Sequence, residues 1–106
     1  MVDVALMRLA GSIDMMSFPD IRQNIADIMN GGVSKIGLDM TDVSSIDSSG
    51  IGLLIKTSTA LQGRGGDLCV FGLRPGILKL FQITRLDSKL AIHASEAETM
   101  MYFSEL

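Results

Sequence analysis

Asp67-Leu68-Cys69-Val70-Phe71-Gly72-Leu73 is apolar at both parities: Leu68 and Val70 alternate with Cys69, Phe71 and Leu73. Successive side chains of a strand point to opposite faces, so such a run must be covered on both sides. It demands a central strand with helices above and below.

The rest of the chain supplies them. Val2 to Ala10 alternates loosely and reads as a strand, ended by Gly11 and Ser12. Ser17-Phe18-Pro19-Asp20 opens a helix, with Ser17 as cap, Pro19 tolerated in the first turn and Asp20 complementing the dipole. Ile21, Ile25, Ile28 and Met29 recur at helical spacing and belong to the core. Asn30-Gly31-Gly32 stops this helix with a glycine able to turn left-handed. Lys35 to Met40 is the next strand, with Ile36, Leu38 and Met40 on one face and Gly37 and Asp39 on the less apolar one. A helix follows from Ser48 to Gln62, turning Ile51, Leu54, Ile55, Ser58 and Leu61 inward and Lys56 and Thr59 to solvent.

Pro75 starts a short third helix ending near Gln82, and Lys89 to Ala94 is a last strand. Ser95-Glu96-Ala97-Glu98 has the spacing of a capping box and opens a C-terminal helix carrying Met100, Met101 and Phe103. Strand and helix alternate throughout. That predicts an α/β layer with largely parallel strands and right-handed crossovers.

Between the second strand and second helix lies Ser44-Ser45-Ile46-Asp47-Ser48-Ser49-Gly50-Ile51-Gly52-Leu53-Leu54, reached through Thr41-Asp42-Val43. It reads as a strand-to-helix loop ending in a polar cap. Asp47, Ser48 and Ser49 each have an oxygen able to accept the orphan N–H groups of a first turn. A hydroxyl there stands at the positive end of the helix, where an anion is favoured. One account is a helix cap and nothing more. Against it, Gly50 and Gly52 each cost ~1 kcal/mol relative to alanine in a helix. They make sense where another backbone or a partner surface comes close. Asp14, read from the residues alone, is a turn residue satisfying nearby backbone groups.

These residues carry a resemblance. Asp47-Ser48-Ser49-Gly50-Ile51-Gly52, preceded by Ile46, resembles the signature loop of the anti-sigma factor antagonists, the bacterial single-domain STAS proteins. Leu9-Ala10-Gly11-Ser12-Ile13-Asp14 is similar to that family's strand ending in Gly-x-[Ile/Leu]-Asp. Gly65-Gly66-Asp67-Leu68-Cys69-Val70-Phe71 resembles its Gly-Gly-strand segment. Pro75 to Phe81 with Thr84-Arg85-Leu86 resembles its third helix and turn. Four elements in the right order are specific, and they span nearly the whole chain.

The resemblance implies a STAS-type mixed, largely parallel four-stranded sheet under about four helices, as one domain over residues 1–106. Members usually carry one more strand before Val2 to Ala10. The chain begins too late to supply it fully: either that edge strand is absent or the true start lies upstream, and a missing strand would expose an edge open to homodimer pairing. The implied function is partner switching. An unphosphorylated antagonist binds an anti-sigma factor that is also a serine kinase. Phosphorylation of the first serine after the signature aspartate, here Ser48, releases it, and a metal-dependent serine phosphatase restores it. Asp14, Asp47, Ser48, Ser49, Gly50, Ile51 and Gly52 form the implied partner surface, with Ser49 as cap and contact. The alternative is a STAS subunit bound to a membrane transport ATPase without phosphorylation cycling.

Composition fits a cytoplasmic regulator. Hydrophobic content of 47% against 20% charged suits a compact fold. A net charge of −3 disfavours a nucleic-acid surface. No apolar run reaches the ~18 residues of a membrane span, so no membrane insertion is expected. Met1-Val2-Asp3-Val4 shows no signal peptide. One cysteine excludes an internal disulfide.

Enzymatic chemistry finds little support. Cys69 is expected to be buried with no histidine nearby, and no metal set or cofactor is implied. Gly63-Arg64-Gly65-Gly66 follows a helix and lacks the ending of a phosphate-cradling loop. A hydrolase using Ser48 or Ser49 would need His93 as base, since it is the sole histidine.

Overall fold

The computed structural model describes residues 3–106. Its elements are β1 (Val4–Ile13), α1 (Phe18–Asn30), β2 (Lys35–Ile46), α2 (Ser48–Gln62), β3 (Asp67–Phe71), α3 (Pro75–Ile83), a 3-10 turn (Leu86–Ser88), β4 (Ala91–His93) and α4 (Glu96–Ser104). The strands form one sheet in the order β1-β2-β3-β4. All three pairings are parallel. The expected α/β architecture is therefore present, with no antiparallel pair among the described residues.

Every residue of β3 is buried, as its two-sided apolar run requires. One face of the sheet presents Leu9, Ile36, Leu38, Leu68 and Val70 to Ile25 of α1, Leu54 and Leu61 of α2, and Ile77 and Phe81 of α3. The opposite face is covered by α4. There Gly37 leaves the room that Leu6 and Thr99 fill: an added Cβ would stand 2.8 Å from Leu6 Cδ2 and 3.2 Å from Thr99 Cγ2. What reads from sequence as the less apolar face of β2 is thus partly a packing seat.

Two strand boundaries differ from expectation. β2 continues through Thr41-Asp42-Val43 and Ser44-Ser45-Ile46, and β1 continues through Gly11 and Ser12 to Ile13. The cause is a pair of register shifts, between Arg8 and Ala10 and between Gly11 and Ser12. At each, β2 advances one residue more than β1, which breaks the period-two pattern without ending the ladder. Gly11, at φ 75°, adopts a conformation that L side chains avoid. Val43 is fully buried beyond the first shift.

The remaining boundaries move less. β3 stops at Phe71, and β4 is confined to Ala91–His93. Ser17 sits at the N-cap position of α1 but is helical in φ/ψ and caps nothing. Its hydroxyl donates to Ser12 O at 2.9 Å and accepts from the Asp14 N–H at 3.0 Å. The C-terminal cap forms with one difference from a capping box: Ser95 Oγ accepts from the Glu98 N–H at 3.2 Å, while Glu98 Oε2 accepts at 2.9 Å from the N–H of Ala94, one residue before the cap.

Candidate functional site

β1 and β2 end side by side, and the chain ties their ends together. The Asp47 N–H donates to Ile13 O at 3.0 Å. This places the turn after β1, which carries Asp14, against the start of α2, which carries Ser48. Asp14 Oδ1 accepts from the Met16 and Ser17 N–H groups at 2.9 and 3.2 Å, so this oxygen holds the turn. Asp14 itself is half-buried.

At the helix start, Asp47 is the cap. It is extended, and its Oδ1 accepts from the Gly50 N–H at 3.1 Å. Ser49 does not cap, contrary to expectation; it lies half-buried inside the first turn. The aspartate takes the role because it holds the extended N-cap position, from which a side chain meets the N–H of the third helical residue, whereas Ser49 is already helical. Ser48 is exposed at the first helical position. Its hydroxyl therefore stands free at the positive end of a 15-residue helix.

The two glycines separate. A Cβ on Gly50 would lie 2.7 Å from both Ile13 Cγ2 and Ile46 Cγ1 and 3.1 Å from Ile13 O. Gly50 is buried, and the close approach it permits is internal, between α2 and the ends of β1 and β2. Gly52 has nothing within 4 Å of such a Cβ, and it faces open space. Ile51 is half-buried and packs on the core. Ser48, Ser49 and Gly52 line a groove of about 370 Å³ together with Met15, Phe18, Leu53 and Lys56.

A second polar cluster lies on the α4 face and was not legible from sequence. Cys69 Sγ is 3.0 Å from His93 Nδ1 and 3.6 Å from Thr99 Oγ1. The expectation of no neighbouring histidine is thus wrong. Phe71 pairs with His93 and Cys69 with Ala91, so Cys69 and His93 are diagonal neighbours on one face. Burial pushes the thiol up to about 11, with Thr99 opposing and Asp67 adding to the shift, which favours the protonated sulfur.

Beside it, Asp67 Oδ1 accepts from the Leu68 N–H at 2.8 Å, Gln62 Nε2 at 3.2 Å and Ser58 Oγ at 3.5 Å. Tyr102 donates its hydroxyl to Asp67 Oδ2. That bond, with burial, pushes Tyr102 up to about 12. The one available signal was an aspartate opening an otherwise apolar strand.

No hydrogen bond joins His93 to Ser48 or Ser49 among the described residues; its ring packs edge-on against Tyr102 instead. No group of three potential metal ligands occurs among the described residues. No helix there is long and apolar enough to cross a membrane.

A sheet of this order, with an exposed serine at an aspartate-capped helix start, defines a class. The STAS domain model matches residues 2–99, and the chain belongs to that family. It is 33% identical over 92 residues to an anti-sigma-B factor antagonist of Listeria monocytogenes, covering 85% of this chain and 79% of the relative. Among solved structures, the Bacillus cell fate determinant SpoIIAA in its phosphorylated form aligns with TM-score 0.69 at 28% identity, covering 96% of this chain and 94% of that one. A sulfate transporter family protein from Wolinella succinogenes shares the fold with TM-score 0.80 at 16% identity, over 98% and 88% of the two chains.

Proposed function

We propose that this chain is a cytoplasmic anti-sigma factor antagonist in a partner-switching pathway. The unphosphorylated form binds an anti-sigma factor that is also a serine kinase. Phosphorylation at Ser48 ends that binding, and a metal-dependent serine phosphatase reverses it. One observation carries the assignment to Ser48: its hydroxyl is exposed at the start of α2, next to a cap that Asp47 alone supplies. The named Listeria relative and the phosphorylated SpoIIAA structure support the same role. Asp14, Asp47, Ser49, Ile51 and Gly52 are the partner contacts around it, whereas Gly50 acts from within.

The energetics suit a local switch. A phosphate adds about −1.5 to −2 charges at neutral pH. The helix terminus favours that by ~0.3–1 kcal/mol, while Asp47 opposes it by ~1–4 kcal/mol at ~4 Å. Neither magnitude reshapes the domain. Across an interface, ~4 kcal/mol of desolvation and repulsion weakens binding a thousandfold.

Intact mass after incubation with ATP, magnesium and an extract of the source cells tests this. One added phosphate, absent in Ser48→Ala and kept in Ser49→Ala, is expected. Loss in Ser49→Ala alone moves the site by one residue. No phosphate, in an extract that modifies other proteins, favours the constitutive transporter subunit.

A further inference from the structure

α1 and α2 lie side by side on one face of the sheet, and a groove runs between them. It begins at Ser48 and Ser49 as the space of about 370 Å³ already described. Through Phe18, Leu53 and Lys56, which line both parts, it opens into a second space of about 430 Å³ that reaches Arg22 and Ala60. The floor is apolar. At the mouth, Met15 is 75% exposed, a flexible thioether side chain left uncovered on the wall that Ser48 shares.

The charges of this groove are unlike those of the chain. The protein carries 12 acidic and 9 basic residues, yet the ionisable residues lining the groove, Arg22 and Lys56, are both cations. Neither makes a salt bridge among the described residues. An apolar floor with an unpaired basic rim fits a segment that is apolar on one side and carries carboxylates at its margin.

We infer that the α1–α2 groove receives an apolar, carboxylate-bearing segment of the same partner that engages Ser48, with Lys56 and Arg22 meeting its carboxylates. The inference rests on the partner-switching function and adds the chemistry of the bound surface. It also supplies a source for the repulsion. A segment drawn in by Lys56, about 12 Å along α2 from Ser48 at the usual helical rise, brings its carboxylates toward the mouth of the groove and toward a phosphate there. The same acidic groups that favour the unmodified form then oppose the dianion.

The test measures affinity of the purified anti-sigma factor kinase for the wild-type chain and for Lys56→Glu, Lys56→Gln, Arg22→Glu and Lys79→Glu. Lys79 is exposed on α3, outside the groove, and serves as the control. Lys56 and Arg22 are exposed, so these variants keep their packing, which thermal unfolding checks. Lys56→Glu is expected to weaken binding at least tenfold and Arg22→Glu several-fold, with Lys79→Glu unchanged. Lys56→Gln should flatten the dependence of affinity on salt. Wild-type binding with Lys56→Glu within twofold of it overturns the groove and leaves the Ser48 switch standing. A wild-type chain that neither binds this kinase nor is phosphorylated by it overturns both.

Discussion

The start of α2 and the Asp67–Cys69–His93–Tyr102 cluster stand at opposite ends of the same parallel sheet. The second holds the residue types most often associated with reactivity: a thiol, an imidazole, a phenol and a carboxylate. Yet every one has a partner, the thiol and phenol are pushed toward their protonated forms, and no buried side-chain polar atom among the described residues is unsatisfied. The first holds a plain serine hydroxyl, exposed at a helix terminus. Reactivity follows surroundings, not residue type. A closed network stabilises, and an open hydroxyl is available to another protein.

The contrast can be broken from either end. The largest effect is expected at the open end: Ser48→Asp should weaken association with the anti-sigma factor kinase by 100- to 1000-fold, about 3–4 kcal/mol, read by titration calorimetry. Wild-type affinity in that variant would return Ser48 to the status of a cap neighbour. Next is Gly50→Ala, which forces a methyl group against Ile13 and Ile46 and should cost about 1–3 kcal/mol in urea unfolding. The same change at Gly52 meets open space and should cost nothing of that kind. At the closed end, Tyr102→Phe removes one donor from Asp67 and should cost ~1–1.5 kcal/mol, with binding of the kinase unchanged. Asp47→Ala removes the cap for ~1 kcal/mol and, unlike Tyr102→Phe, should also disturb the Ser48 surface.

The closed end can also be probed through pH. Cys69 and Tyr102 have folded-state values raised from 9.0 to about 11 and from 10.0 to about 12. Each contribution is complete below the unfolded value and is lost as pH rises toward the folded one. Stability should therefore fall between about pH 9 and 12, in two overlapping steps. Cys69→Ala should remove the lower step, measured by thermal unfolding across that range.

How much of this was legible in the sequence divides along the same line. The helix carrying Ser48 runs over Ser48–Gln62 as its apolar spacing and polar start indicate, because capping and helical period are local. The all-buried β3 followed from its double parity. What sequence concealed was set by pairing across distance. The length of β2 was hidden because two register shifts break its alternation. Cys69 meets His93, 24 residues on, only through the β3–β4 register. The internal role of Gly50 depends on Ile13, brought in by the neighbouring strand. The groove needs two helices at once.

The extended ladder has one more consequence. The pairing of β2 with β3 ends at Asp39, whereas β2 and β1 run on together to Ile46 and Ile13. That two-stranded arm, on the order of 20 Å at the usual rise per residue, carries Ser48 past the ends of β3 and β4. It acts as a mast: whatever closes around the serine has clearance from the short strands and α4 behind it.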